Sequence, residues 1–286
     1  MNSAQDLLQL IQLEQTEDTK FQGISKTVGS PNVFGGQVLA QAINAAARTI
    51  TNGRILHSLH SYFLEPGHLE IPIVYDVSVV RDGGSFSVRR VTAQQNEKII
   101  FILSASFQRE EEGYEHQIEM KSNIKQPEDL MSWTDLLETY RDVLPSRIKG
   151  FFEIERPIEF KPTEIANPLN KKDLPPFTDV WIKLKGDVST LTRTDKQEIL
   201  TYISDYNILT AVMNRHASKA NWNNTQTASL DHSMWFFRDF DYNDWLLYSI
   251  ESPNASNARG FAKGNLFTRD GVLIASVAQE GLIRPK

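Results

Sequence analysis

The chain has 286 residues, of which 40% are hydrophobic and 23% are charged, and its 30 basic and 36 acidic residues give a net charge of −6. This length and composition predict a globular protein with a large core and roughly two domains. The acidic balance argues against a nucleic-acid partner. The lack of cysteine excludes disulfides and thiolate catalysis, and no apolar run reaches the length of a membrane span. The first residues lack a signal peptide's basic start and apolar run, so we expect a cytoplasmic protein.

The first half of the chain shows one helix followed by strands. Apolar residues at helical spacing follow Gly35-Gly36, namely Val38, Leu39, Ala42, Ile43 and Ala46. Residues 71–80 are rich in β-branched side chains, and residues 87–92 and 98–107 predict two more strands after glycine- and asparagine-containing turns. One helix and an antiparallel meander form an α+β unit, in which we expect the sheet to wrap around the helix.

The second half repeats this order after a connector. Within the connector, apolar residues predict a short helix that ends at Pro145. Asp195 and Glu198 then have the spacing of a capping box. Apolar residues continue at helical spacing behind them: Ile199, Ile203, Leu209 and Val212. Residues 268–271 predict a hairpin turn between two late strands.

The chain compared with itself shows an internal repeat. Residues 60–64, which begin with His60-Ser61, match residues 232–236, which begin with His232-Ser233. Residues 101–108 match residues 272–279, so that Gln108 is paired with Gln279. Two further matches occur at the same spacing of about 170 residues, which is the signature of two homologous halves.

The repeat sets the predicted domain boundaries. We expect an N-terminal domain over residues 1–112, a connector over 113–154 and a C-terminal domain over 155–286. Each domain has the α+β order described above. The sequence contains no phosphate loop, no nucleophile elbow and no His-Glu-x-x-His motif, and its six histidines show no metal-ligand spacing, so we expect no metal site.

Seven short stretches spread over almost the whole chain resemble one known family. They are Val33–Gln37, His57–Leu64, Asp82–Val91, Ser204–Asn207, Leu230–Phe236, Ala255–Gly260 and Gln279–Gly281. The sequence resembles the acyl-CoA thioesterase II family, whose members carry two fused hotdog domains, each an antiparallel sheet wrapped around a helix. The resemblance implies hydrolysis of fatty acyl-CoA to free acid and CoA. It implies no cofactor, because CoA is part of the substrate.

The family's catalytic aspartate, threonine or serine, and glutamine fall on Asp205, Ser229 and Gln279. In this assignment Asp205 orients or deprotonates a water molecule, and Ser229 and Gln279 hold it by hydrogen bonds. Backbone N–H groups at Gly35-Gly36 are our own candidates for stabilising the oxyanion. The first half carries these glycines near the position equivalent to Asp205, so we expect one catalytic trio per chain.

Two other functions stay open at this stage. A hotdog hydratase or dehydratase acting on acyl thioesters uses a histidine near its helix, and the run that follows Asp205 contains none. A non-catalytic acyl-CoA binding module is the second alternative. We further expect a homo-oligomer, a dimer or a tetramer, because unpaired sheet edges invite association and the resemblance implies assemblies.

Several residues allow more than one interpretation. We expect Asp231 and His232 to fix their strand by hydrogen bonds rather than to act as a catalytic dyad. A structural role is also favoured over a role as base for His57. Arg89 and Arg259, which the repeat pairs, are predicted either to hold strands through carboxylates or to contact the CoA phosphates.

Overall fold

A computed structural model describes residues 1–51, 53–144, 146–164, 172–221 and 224–286. The helices in this part of the chain are α1 (Ala4–Ile11), α2 (Gly35–Ala47), α3 (Trp133–Tyr140), α4 (Ser146–Glu153), α5 (Arg193–Ser204) and α6 (Ile208–Asn214). The first six strands are β1 (Glu14–Glu17), β2 (Lys20–Gly23), β3 (Ile55–Phe63), β4 (Ile73–Asp82), β5 (Phe86–Gln95) and β6 (Lys98–Gln108). The others are β7 (Ile158–Pro162), β8 (Phe177–Leu184), β9 (Thr225–Ser229), β10 (Asp231–Phe236), β11 (Leu246–Ser256), β12 (Arg259–Thr268) and β13 (Leu273–Pro285). None of the described helices is long and apolar enough to cross a membrane.

The strands form one continuous antiparallel sheet whose order is mirrored about its centre. The order is β1-β2-β4-β5-β6-β3-β10-β13-β12-β11-β8-β7, and β9 pairs with β13. Strands β2, β4, β5 and β6 of the first half therefore correspond to β8, β11, β12 and β13 of the second. The β3–β10 pair joins the halves, and the Ser61 hydroxyl donates to the His232 carbonyl oxygen across it at 2.9 Å.

Helices α2 and α5 lie against each other and share one hydrophobic core with both halves of the sheet. Helix α2 is buried on nearly every side, and its run of alanines lets α5 and the strands approach closely. The helix that was expected to extend from Ile199 to Val212 is interrupted. Helix α5 ends at Ser204 and α6 begins at Ile208, because Asn207 adopts a left-handed conformation with φ 65°.

The predicted capping box of Asp195 and Glu198 is wrong. Thr192 is the N-cap of α5, and its hydroxyl and backbone N–H pair with Asp195, which occupies the third helical position. Glu198 instead points into the core. In the connector, helix α3 ends at Tyr140 and a second helix, α4, follows it, while Pro145 lies outside the described residues.

The repeat alignment pairs residues on opposite faces of the sheet. His60 is exposed on β3, whereas its proposed counterpart His232 is completely buried on β10. Gln108 is partly buried, whereas Gln279 is 1% exposed on the inner face of β13. Because side chains alternate along a strand, an error of one residue in the alignment exchanges the two faces. The strand order is thus repeated, but these residue pairs are not structural equivalents.

Glu198 is a buried carboxyl between the two central helices. It is 2% exposed, and Asn44 of α2 donates to its two oxygens at 3.1 and 3.3 Å. Burial raises the pKa of Glu198 to about 8 from an ordinary value of 4.5. The native state therefore holds a proton that the unfolded state releases between these two pH values.

We expect the free energy of unfolding to fall as pH rises from about 4.5 to about 8, and Glu198→Gln to abolish that fall. Full stability is present below the unfolded pKa, and the loss amounts to at most about 5 kcal/mol. Urea denaturation at pH 5 and pH 9 checks this prediction. The variant should match the wild type at pH 5 and exceed it at pH 9, and parallel curves at both pH values would contradict the prediction.

Candidate active site

Asp205 lies at the break between α5 and α6, where the two halves of the chain meet. The turn that ends α5 leaves the Asp205 carboxylate beside the first turn of α2, and the Gly36 N–H donates to Asp205 Oδ2 at 2.9 Å. The N-terminus of a helix carries a partial positive charge, which stabilises a carboxylate. A Cβ at Gly35 would lie 2.7 Å from Asp205 Oδ2, so only glycine allows this approach.

The other two residues of the predicted trio lie beside Asp205. Ser229 ends β9, and its hydroxyl donates to Asp205 Oδ1 at 3.1 Å. Gln279 projects inward from β13, and its Nε2 donates to the Ser229 hydroxyl at 2.9 Å. Asp205 and Ser229 are partly buried, whereas Gln279 is buried. The three side chains therefore form one hydrogen-bonded chain, although their catalytic role stays a prediction.

His232 extends this chain on its buried side. Its Nδ1 contacts the Oε1 atom of Gln279, and its Nε2 lies 2.9 Å from the Ser204 hydroxyl. Burial lowers the pKa of His232, so the imidazole is neutral near pH 7. Sequence reasoning treated His232 only as a strand residue. The signal that was available is its position three residues after Ser229, at the start of the next strand.

Asp231 does not pair with its neighbour His232. Its Oδ1 accepts a hydrogen bond from the Glu280 N–H at 2.6 Å, and burial raises its pKa. The contact joins the start of β10 to β13, as the expected strand-fixing role requires. His57 lies on β3, and its Nε2 contacts the Ser106 hydroxyl at 2.8 Å. This contact does not involve Asp205, Ser229 or Gln279.

Arg89 and Arg259, for which the sequence allowed two roles, both pair with carboxylates. Arg89 is 2% exposed, and it contacts Asp82 at 3.0 Å and the Thr49 hydroxyl at 2.8 Å. Arg259 contacts Glu280 at 2.9 Å. Arg89 is therefore a strand-holding residue, and the contact made by Arg259 is of the same kind.

Aromatic side chains cluster between the start of α2 and the end of α5. The Phe34 ring, directly before Gly35, lies 4.4 Å from Tyr206 and 5.2 Å from Tyr202. The two tyrosine hydroxyls are 3.4 Å apart, and burial raises the pKa of each, so both stay neutral. Tyr202 also lines a cavity of about 210 Å³ together with Arg156 and residues of the loop before α2.

Comparisons with known proteins agree with this architecture. A family model described as acyl-CoA thioesterase matches residues 148–282, and one described as acyl-CoA thioesterase N-terminal domain matches residues 25–108. The chain is 41% identical to acyl-CoA thioesterase 2 of Haemophilus influenzae over 98% of this chain and 97% of that protein. It is 36% identical to human acyl-coenzyme A thioesterase 8 over 97% of this chain and 88% of that protein.

Solved structures show the same similarity. An acyl-CoA thioesterase II, TesB2, from Mycobacterium marinum is 32% identical, covers 98% of both chains and superposes with a TM-score of 0.79. A tesB protein of Mycobacterium avium superposes with a TM-score of 0.80 at 27% identity, over 99% of this chain and 100% of that one. The predicted α+β fold of two fused hotdog domains is thereby confirmed. The chain belongs to the acyl-CoA thioesterase II family of double-hotdog thioester hydrolases.

Proposed function

We propose that this chain hydrolyses acyl-CoA through a water molecule held by Asp205, Ser229 and Gln279. The observation that carries the proposal is the unbroken hydrogen-bond chain from Gln279 through Ser229 to a partly buried carboxylate. Each Asp205 oxygen accepts one hydrogen bond from the protein, and a carboxylate has about four acceptor positions. Positions are therefore left for a water molecule at the carboxylate.

The reaction needs only water as a second reactant. Asp205 takes a proton from the bound water while the water oxygen attacks the thioester carbonyl carbon. The tetrahedral intermediate then breaks its carbon–sulfur bond, and the proton held by Asp205 passes to the leaving thiolate. The products are the free acid and CoA, and the proposal includes no cofactor.

The oxyanion requires donors that are fixed before the reaction. The backbone N–H groups of Gly35 and Gly36 were the candidate donors. The Gly36 N–H is no longer a candidate, because it already donates to Asp205. The N–H of Gly35, at the first position of α2, is the candidate that we retain. Its place at the helix N-terminus gives it the field of the helix dipole as well.

The direct test is release of free thiol from a medium-chain acyl-CoA, followed with a thiol-reactive dye. We expect turnover by the wild type and a large loss in Asp205→Asn. A parallel absorbance assay for hydration of an enoyl-CoA tests the hydratase alternative. Tight acyl-CoA binding without thiol release would instead support a binding module and contradict the proposal.

Ser229→Ala is expected to lower kcat by about 10²-fold, whereas Ser229→Thr should stay within a few-fold of the wild type. Alanine removes the hydroxyl that donates to Asp205, and loss of one such donor costs about 3 kcal/mol. Threonine keeps the hydroxyl. Steady-state thiol release measures both variants, and unchanged activity in Ser229→Ala would remove Ser229 from the site.

Gly35→Ala is expected to lower kcat by about tenfold or more while the protein stays folded. The new methyl group would lie 2.7 Å from Asp205 Oδ2 and 3.0 Å from the Phe63 ring, so the carboxylate must rotate away from Gly36. Gly84→Ala is the matched control, because a Cβ there has no neighbour within 4 Å. Equal kcat in the two variants would contradict this account of the approach between α2 and Asp205.

A further inference from the structure

We propose that His232 is a positioning residue that fixes which way the amide of Gln279 faces. This inference rests on the proposed function of the trio. His232 lies outside the trio, and its hydrogen bond to the trio is the one with Gln279. It is completely buried on β10, with one ring nitrogen against Gln279 Oε1 and the other against Ser204.

An amide side chain needs such a partner. The oxygen and the nitrogen of Gln279 occupy nearly the same space in either orientation, but only the nitrogen donates. A proton on His232 Nδ1 makes this atom a donor, so it must face the amide oxygen. Gln279 Nε2 is then directed at the Ser229 hydroxyl, where it lies at 2.9 Å.

The orientation of this amide decides how Ser229 uses its single proton. When Gln279 Nε2 donates to the Ser229 oxygen, the Ser229 proton is free to be donated to Asp205 Oδ1. In the reversed orientation Gln279 would present its oxygen to Ser229 and compete with Asp205 for that proton. His232 thus keeps all hydrogen bonds of the chain pointing towards the carboxylate.

Ser204 faces the second ring nitrogen of His232, where its hydroxyl can either donate or accept. A neutral imidazole that carries its proton on Nδ1 accepts at Nε2. The Ser204 hydroxyl lies 2.9 Å from Nε2 and 2.8 Å from the Thr201 carbonyl oxygen, and its single proton can serve either. When this proton is donated to Nε2, the proton of the imidazole stays on Nδ1.

A matched pair of variants tests the proposal. His232→Asn places an amide nitrogen near the position of Nδ1, and His232→Gln places one near the position of Nε2. We expect His232→Asn to keep kcat within about threefold of the wild type and His232→Gln to lose about 10- to 100-fold, with KM unchanged in both. Equal kcat in the two variants would overturn the proposal.

A double-variant cycle separates this inference from the proposed function. In a Gln279→Ala background, His232→Gln should have no further effect on kcat, because the group that it positions is gone. An additive loss would show that His232 acts by another route and would overturn the inference alone. Full activity in Gln279→Ala itself would overturn the proposed function.

The tautomer can also be read in the wild-type protein, which covers the case that a variant does not fold. In ¹⁵N-histidine spectra we expect one neutral imidazole that carries its proton on Nδ1. A buried imidazole that carries its proton on Nε2 would overturn the proposal. Circular dichroism and thermal denaturation of each variant separate loss of positioning from loss of fold.

Discussion

Replacing Asp205 with asparagine is expected to lower kcat for acyl-CoA hydrolysis by about 10²- to 10⁴-fold, the range that a general base contributes. Asparagine has the shape of aspartate, and its oxygen can still accept from the Gly36 N–H, as Asp205 Oδ2 does at 2.9 Å. An amide cannot take a proton from water near neutral pH. The loss should therefore fall on kcat, with an unchanged Tm.

Asp231→Asn is the control for this prediction. Asp231 is also partly buried, and its Oδ1 accepts from the Glu280 N–H, a contact that an asparagine oxygen preserves. We expect activity close to that of the wild type. Near wild-type hydrolysis by Asp205→Asn, or an equal loss in both variants, would contradict the assignment of Asp205 as the base. Thiol release at several acyl-CoA concentrations provides kcat and KM for this comparison.

The sequence alone predicts the central helices and the strands that follow them, but neither the strands that precede these helices nor the meeting of the trio. Runs of β-branched residues and the glycine turns mark the strands, and small apolar residues mark α2. Asp205, Ser229 and Gln279 are far apart in sequence, and their spacing has no local period. They meet because β9 pairs with the end of β13 and because α5 stops at Ser204. Only the resemblance to a known family identifies them in advance.

The face of the sheet on which a side chain lies, and the residue that caps a helix, are harder to predict. An error of one residue in the alignment changes both. Gln108 and Gln279 are identical residues at matched positions of the repeat, yet the two side chains lie on opposite faces of their strands. Glu198 has the spacing of a capping residue, but the packing of α5 on α2 turns it towards Asn44. The left-handed Asn207 that ends the first helical segment has no apolar pattern to mark it. Tertiary packing decides each of these cases.

Gln279→Glu is expected to lower kcat by about 10²- to 10³-fold, because it removes the amide N–H of Gln279. Glutamate has nearly the same size, and its oxygens can still accept a hydrogen bond from His232, as Gln279 Oε1 does. It has no N–H to donate to the Ser229 hydroxyl, which receives that bond at 2.9 Å in the wild type. A second carboxylate is also placed next to Asp205.

Gln108→Glu is the matched control, because the repeat pairs Gln108 with Gln279 although it lies on the opposite face of its strand. We expect the control to keep wild-type kcat and KM. Thiol release from one acyl-CoA, measured with both variants at equal protein concentration, makes the comparison. An unchanged kcat in Gln279→Glu would show that no donor is needed at this position. A matching loss in Gln108→Glu would show that the effect is not specific to the position of Gln279.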